Sequence, residues 1–188
     1  VGRLIVTPPG RVGMAAVAEL DALVREHRDD DGSYRLSDLA VALGAIRETW
    51  QPVLEAADGT HRHWRTVFEN DELDVYAISW LDGQTTGFHD HCDSNFGVAC
   101  VHGSVYEERP RNPTVEHEVR RLETGQVTGG VPGVMHLIRW ADGEPAITIH
   151  AYAPKLLRVG QIYVDREGRW VRRERDGREE LTEGLLPC

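Results

Sequence analysis

The stretch "TTGFHDHCDS", residues 85–94, places His89 and His91 on either side of Asp90, with Cys92 beside the second histidine. Such a cluster can serve as a metal site, a redox site, a catalytic dyad or a polar turn. Side chains alternate faces along a strand, so His89 and His91 point one way and Asp90 the other. Two imidazoles so placed can share one metal ion, although a pair of hydrogen-bonded or surface histidines has the same spacing. His136 follows in "PGVMHLIRW", just after a Pro-Gly turn. In "TIHAY", Thr148, His150 and Tyr152 share one strand face and set a hydroxyl, an imidazole and a phenol in a row. Such a row is costly to bury unless its members hydrogen-bond one another or something else, so it reads as a structural ladder or as part of a site.

The elements that must position these groups fall into two textures. From Arg11 to His27, the residues Val12, Ala15, Val17, Leu20, Leu23 and Val24 recur at mostly three- and four-residue steps, which predicts an amphipathic helix. A second helix is expected from Ser37 as N-cap, carrying Leu39, Val41, Leu43 and Ile46 toward Trp50, with Pro52 stopping it. After about Arg62 the chain turns to short β-rich runs: "LDVYAISWL", "FGVACVHGSVYEE", "VEHEVRRLE", "GVMHLIRW", "AITIHAYA" and "GQIYVD". Turn signals punctuate them at intervals of roughly ten residues, the pattern of a sandwich or barrel. Long helices do not alternate with these strands, which argues against a doubly wound fold. Beyond Arg172, "RRERDGREELTEGLLPC" has little to bury and reads as a surface tail or short capping element.

A chain of 188 residues suits one domain: a helical segment over 1–60, a β-barrel over 61–172 and a tail over 173–188. The net charge of −10 repels nucleic acid and anionic membranes at long range. The dense basic stretch "REGRWVRRERDGR" is interleaved with acids and does not reverse that field. No run approaches the roughly 18 apolar residues needed to cross a bilayer. "VGRLIVTPPGRVG" breaks at Pro8, Pro9 and Gly10 before a signal-peptide core develops, so the cytoplasm is the expected location. Cys92, Cys100 and Cys188 are too few and too irregularly spaced for a disulfide framework, which suits a reducing compartment.

The run Gly83, five residues, His89, one residue, His91, four residues, Phe96, six residues, Gly103 resembles the first cupin motif, with Phe96 where many cupins have glutamate. "PGVMH" resembles the second motif, which delivers His136 from the other side of a small β-barrel. Within the cupins, "ISWLDGQTTGFHDHCDS" and "HLIRWADGEPAITIHAYAPKL" resemble the cysteine dioxygenase family of thiol dioxygenases over roughly Arg62 to Leu156. The implied fold is a mainly β cupin barrel (a double-stranded β-helix, or jelly roll) with a small N-terminal helical segment.

The same resemblance implies a mononuclear Fe(II) held by His89, His91 and His136, with O2 and a small-molecule thiol as co-substrates and a sulfinic acid as product. It also implies a monomer. Imidazole suits Fe(II), and a three-ligand face leaves adjacent positions open for sulfur and O2. Tyr152 would hydrogen-bond bound oxygen or the substrate head group, held by His150 and Thr148. An arginine clamp for a substrate carboxylate falls on Arg65 or Arg62, with Arg65 nearest by counting back from Trp80. Phe96 departs from the mammalian members, whose cysteine at that position crosslinks to the tyrosine; its ring excludes the crosslink, should fill space near Tyr152 and reshapes the substrate pocket. Alternation points Cys92 away from the metal face. Cysteine, 3-mercaptopropionate, mercaptosuccinate-like acids and ergothioneine remain open as substrates. So do a non-catalytic metal- or ligand-binding cupin and a different cupin enzyme as readings of the whole.

Overall fold

The computed structural model describes residues 14–110 and 117–182. The N-terminal part carries helices α1 (Met14–Glu26), α2 (Leu36–Gly44) and α3 (Gln51–Ala56), with a single 3-10 turn at Arg47–Thr49. Residues 11–13 of the first expected helix lie outside the described residues. The second expected helix ends at Gly44, and Pro52 opens a helix instead of ending one: it occupies the first turn of α3, where a missing N–H costs nothing. Ser37 makes no cap; its hydroxyl donates to the Thr128 carbonyl at 3.2 Å and ties the start of α2 to the barrel.

Eleven strands follow among the described residues: β1 (Trp64–Glu69), β2 (Asp74–Trp80), β3 (His89–Asp90), β4 (Asn95–His102), β5 (Ser104–Pro110), β6 (His117–Glu123), β7 (Val127–Gly130), β8 (Leu137–Trp140), β9 (Ala146–Ala153), β10 (Arg158–Val164) and β11 (Trp170–Asp176). One sheet has the order β1-β2-β9-β4-β7; two smaller ones have the orders β11-β10-β3 and β6-β5-β8. The two smaller sheets meet where His89 and His136 exchange backbone bonds, each N–H donating to the other's carbonyl at 2.9 Å. Two layers closed on each other in this way make the mainly β cupin barrel that the family resemblance implies.

The alternation along β9 explains how both faces of the large sheet are covered. Ile147, Ile149 and Ala151 pack outward against Leu36, Leu39 and Leu43 of α2, and Thr148, His150 and Tyr152 point into the barrel. Covered on both sides, β9 is buried over nearly its whole length. The barrel interior is filled by Tyr76, Ile78, Trp80, Phe96, Val98, Ile138 and Tyr152. At Gly97, α2 lies so close to β4 that a Cβ would stand 2.4 Å from the Leu36 carbonyl carbon and the Ser37 nitrogen, so only glycine fits there.

Of the two readings of the C-terminal stretch, the short capping element describes it better than the surface tail. β11 runs through Arg172 to Asp176, paired along its length with β10, and Leu181 in the short helix α4 (Glu179–Thr182) is fully buried against the barrel cluster. Its charged residues conceal this in the sequence, because the outer face of a two-layer sheet stays polar. Residues 183–188 lie outside the described residues.

Candidate metal centre

His89 is held by β3, whose two residues pair with Gln161 and Gly160 of β10. Asp90 points the opposite way, as alternation requires, and receives Arg172 of β11 through two parallel bonds, Nε to Oδ2 at 2.6 Å and Nη2 to Oδ1 at 2.8 Å. Burial alone would raise the Asp90 carboxyl, but the bonds from Arg172 and from the Cys92 amide outweigh it and hold the group below its ordinary range. Gly160 leaves the space this clasp needs, since a Cβ there would stand 2.4 Å from the Arg172 guanidinium. Cys92 turns the chain with a left-handed backbone, φ 51°, and its sulfur lies 3.1 Å from Arg172 Nη2 on the side away from the histidines.

His89, His91 and His136 are all buried, and one nitrogen from each lies within 4.8 Å of the others. Although 47 positions separate them, His89 and His136 face each other as a cross-strand pair, which puts both rings on the same face. Tautomers follow from the partners. The Gly87 carbonyl can only accept, so His89 Nδ1–H donates to it at 3.1 Å and Nε2 is left for a metal. A carboxylate likewise only accepts, so His136 Nδ1–H donates to Glu107 Oε1 at 3.0 Å and Nε2 is again the nitrogen to offer.

The residues present fit a metal ion. His89 Nε2 and His91 Nε2 are 3.1 Å apart, and two imidazole nitrogens each about 2.0–2.1 Å from one metal ion would be about 3 Å apart at a right angle. Three neutral imidazoles suit a divalent transition metal and leave positions open to other ligands. Among the described residues this is the one group of its kind.

Beside it stands the row on β9. Trp80 Nε1–H donates to Thr148 Oγ1 at 2.8 Å, Thr148 Oγ1 and His150 Nε2 are 2.8 Å apart, and His150 Nδ1 and the Tyr152 hydroxyl are 2.9 Å apart. The Tyr152 ring lies 5.0 Å from that of His91. Phe96 packs against the ligands themselves, its ring centroid 4.5 Å from both His91 and His136. Phe96 also lines a cleft of about 840 Å³ shared with Tyr34, Leu36 and Ser37 of the N-terminal segment.

The two arginines separate. The Arg62 guanidinium is buried inside, 5.0 Å over the Trp80 ring. Arg65 pairs with Ala77, whose side chain belongs to the helix-facing layer, so Arg65 is on the opposite face of β1 from Trp64 and the barrel interior.

Sequence reasoning missed Glu107, Trp80 as part of the ladder, and Arg172. Glu107 sits on β5 in the same inward phase as the fully buried Val105, and an acidic residue at an inward position is the signal that would have found it. Arg172 had no such signal, because its partner is 82 positions away.

A buried three-histidine centre at the junction of two sheets of a double-stranded β-barrel defines a cupin metal site. Residues 37–163 match the family cysteine dioxygenase type I, more than half of the chain. The chain belongs to that family of cupin dioxygenases. No curated protein shows significant sequence similarity to it. Among solved structures, a conserved double-stranded β-helix protein of Klebsiella pneumoniae is similar at 16% identity, over 66% of this chain and 94% of that one, with a TM-score of 0.48. KdgF from Halomonas sp. is similar at 18% identity, over 53% and 86% of the two chains, with a TM-score of 0.45. No helix among the described residues is long and apolar enough to cross a membrane.

Proposed function

We propose that the protein is an iron(II)-dependent thiol dioxygenase that adds both atoms of O2 to the sulfur of a small thiolate, giving a sulfinate. The observation that carries this reading is the hydrogen-bonded row Thr148, His150, Tyr152 running up to the three-histidine centre. A site that only stores or senses a metal has no need of it. Bound iron would supply the redox chemistry joining O2 to sulfur and would favour the thiolate over the thiol. His89, His91 and His136 would hold it.

The ladder has a direction that serves this role. Indole N–H only donates, so the Thr148 oxygen accepts from Trp80. With His150 in the Nδ1–H tautomer, the Thr148 hydroxyl donates to His150 Nε2 and His150 Nδ1–H donates to the Tyr152 oxygen. This order leaves the Tyr152 O–H to donate to a substrate or oxygen group at the centre. Arg62, buried over Trp80, is the better of the two arginines to receive a substrate carboxylate, since Arg65 belongs to the other face of β1. Phe96 closes one side of the site with an apolar ring and excludes water there.

The test is O2 uptake by anaerobically Fe(II)-loaded protein against cysteine, 3-mercaptopropionate, mercaptosuccinate and ergothioneine. Uptake with one thiol, matched by a mass gain of two oxygens, is expected and names the substrate. Bound iron with no uptake for any thiol overturns the reading in favour of a metal-binding cupin or of another oxidised substrate.

A further inference from the structure

The Glu107 carboxylate is buried at the back of His136 and uses both oxygens. Oε1 accepts from His136 Nδ1 at 3.0 Å and from Arg109 Nε and Nη2 at 3.0 and 2.9 Å; Oε2 accepts from Thr128 Oγ1 at 2.7 Å. Arg109 is fixed in turn, its Nη2 also donating to Thr128 Oγ1 at 2.8 Å and to the Gly129 carbonyl at 2.9 Å. A carboxylate held on both oxygens cannot swing away from the imidazole. Its cost of burial is met by the half-buried Arg109, so its charge does not require His136 to be protonated on both nitrogens.

We infer that Glu107 is a positioning residue that locks His136 in the Nδ1–H tautomer and, by doing so, sets the metal affinity and ligand field of the centre. Three observations converge on this. Glu107 and Arg109 share the inward phase of β5, Thr128 comes from β7, and His136 comes from the loop before β8, so three separate segments meet at one carboxylate. A ligand histidine must offer a lone pair, and without a fixed acceptor behind Nδ1 a neutral imidazole divides between two tautomers, one of which cannot bind metal through Nε2. The group behind His89 Nδ1 is a neutral carbonyl, whereas the group behind His136 Nδ1 is a carboxylate, which raises the basicity of the ligand it holds. The inference rests on the metal site in the reading above and is independent of the thiol chemistry.

The experiment uses the full chain, stripped of metal and titrated with Co(II) in competition with a chromophoric chelator. Co(II) d–d absorption reports the ligand field, and long-range 1H–15N correlation of the imidazoles in the apo protein reports the tautomers. Wild-type His136 is expected as Nδ1–H. Glu107→Ala is expected to weaken Co(II) binding on the order of 10–100-fold and to shift the d–d bands, and Glu107→Gln to weaken it less. Should Glu107→Ala fail to fold, Glu107→Gln and the wild-type tautomer decide. Wild-type His136 carrying its proton on Nε2, or folded variants with wild-type Co(II) affinity and bands, overturns the inference. Because no thiol is turned over, failure of the dioxygenase reading leaves this result intact; a wild-type chain that binds no Co(II) sinks both.

Discussion

At the scale of single residues, the site depends on a few side chains whose partners permit one arrangement. Trp80 is the outermost member of the ladder, and its N–H donates to Thr148 Oγ1. Trp80→Phe keeps a ring against His150 and Arg62 but removes the donor. We expect about 1 kcal/mol lost in stability and thiol turnover reduced on the order of tenfold, with kcat affected more than metal affinity; steady-state kinetics beside a Co(II) titration separates the two. Phe96 is equally specific in its fit. A Cβ on Gly130 would stand 2.6 Å from the Phe96 ring, so the ring takes its place against His91 and His136 because its cross-strand neighbour has no side chain. Gly130→Ala should cost about 1–3 kcal/mol by overpacking and should weaken metal binding as the ring is pressed into the histidines. Urea denaturation of the apo protein measures the first and metal titration the second.

At the scale of elements, the histidine pair is held from outside the barrel. β3 has only two residues, too few to define its own position, and β11 secures it through Arg172 and Asp90. Arg172→Ala leaves a buried carboxylate without its partner. The pair is partly exposed on the arginine side, so the loss should be about 1–3 kcal/mol, below that of a fully buried pair. Arg172→Lys should recover only part of it, because an ammonium cannot make two parallel bonds to one carboxylate. Denaturation midpoints of the three proteins check the order. The contact of α2 with β4 makes a second element-scale prediction. Its neighbours at Gly97 are backbone atoms, which cannot rotate aside. Gly97→Ala must lift Leu36, Leu39 and Leu43 off the sheet and should cost about 3 kcal/mol, read as a lowered denaturation midpoint.

At the scale of the whole molecule, the metal centre lies across the junction of two sheets that backbone bonds between His89 and His136 already link. His89 and His91 come from the segment clasped by β10 and β11, and His136 comes from the sheet of β5, β6 and β8. A metal bound across that junction stabilises the folded state by mass action, about 2.7 kcal/mol at one hundred times its dissociation constant. For a chain of this size that should raise the melting temperature by about 5–10 °C. Differential scanning calorimetry with metal and after chelation measures the shift, and His136→Ala should abolish it while leaving a cooperative transition.

What the sequence by itself determined is what short-range periodicity encodes. The spacing of His89 and His91 sets both on one face and Asp90 on the other. The alternation in "TIHAY" aligns Thr148, His150 and Tyr152, and the structure keeps all of these phases. The helical and strand textures are legible for the same reason, because burial on one face imposes its own period. What only the tertiary structure decided is which residues stand opposite one another. His136 faces His89 because two sheets close at that register. Glu107 reaches His136 because β5 runs beside β8, and Arg172 reaches Asp90 because β11 lies along β10. Arg62 precedes β1 and Arg65 lies on it: the fold sets the first over Trp80, and the pairing of β1 with β2 puts the second on the face away from the barrel interior. A strand's own sequence carries its alternation but not its register against distant strands; that register follows from the packing of the whole barrel.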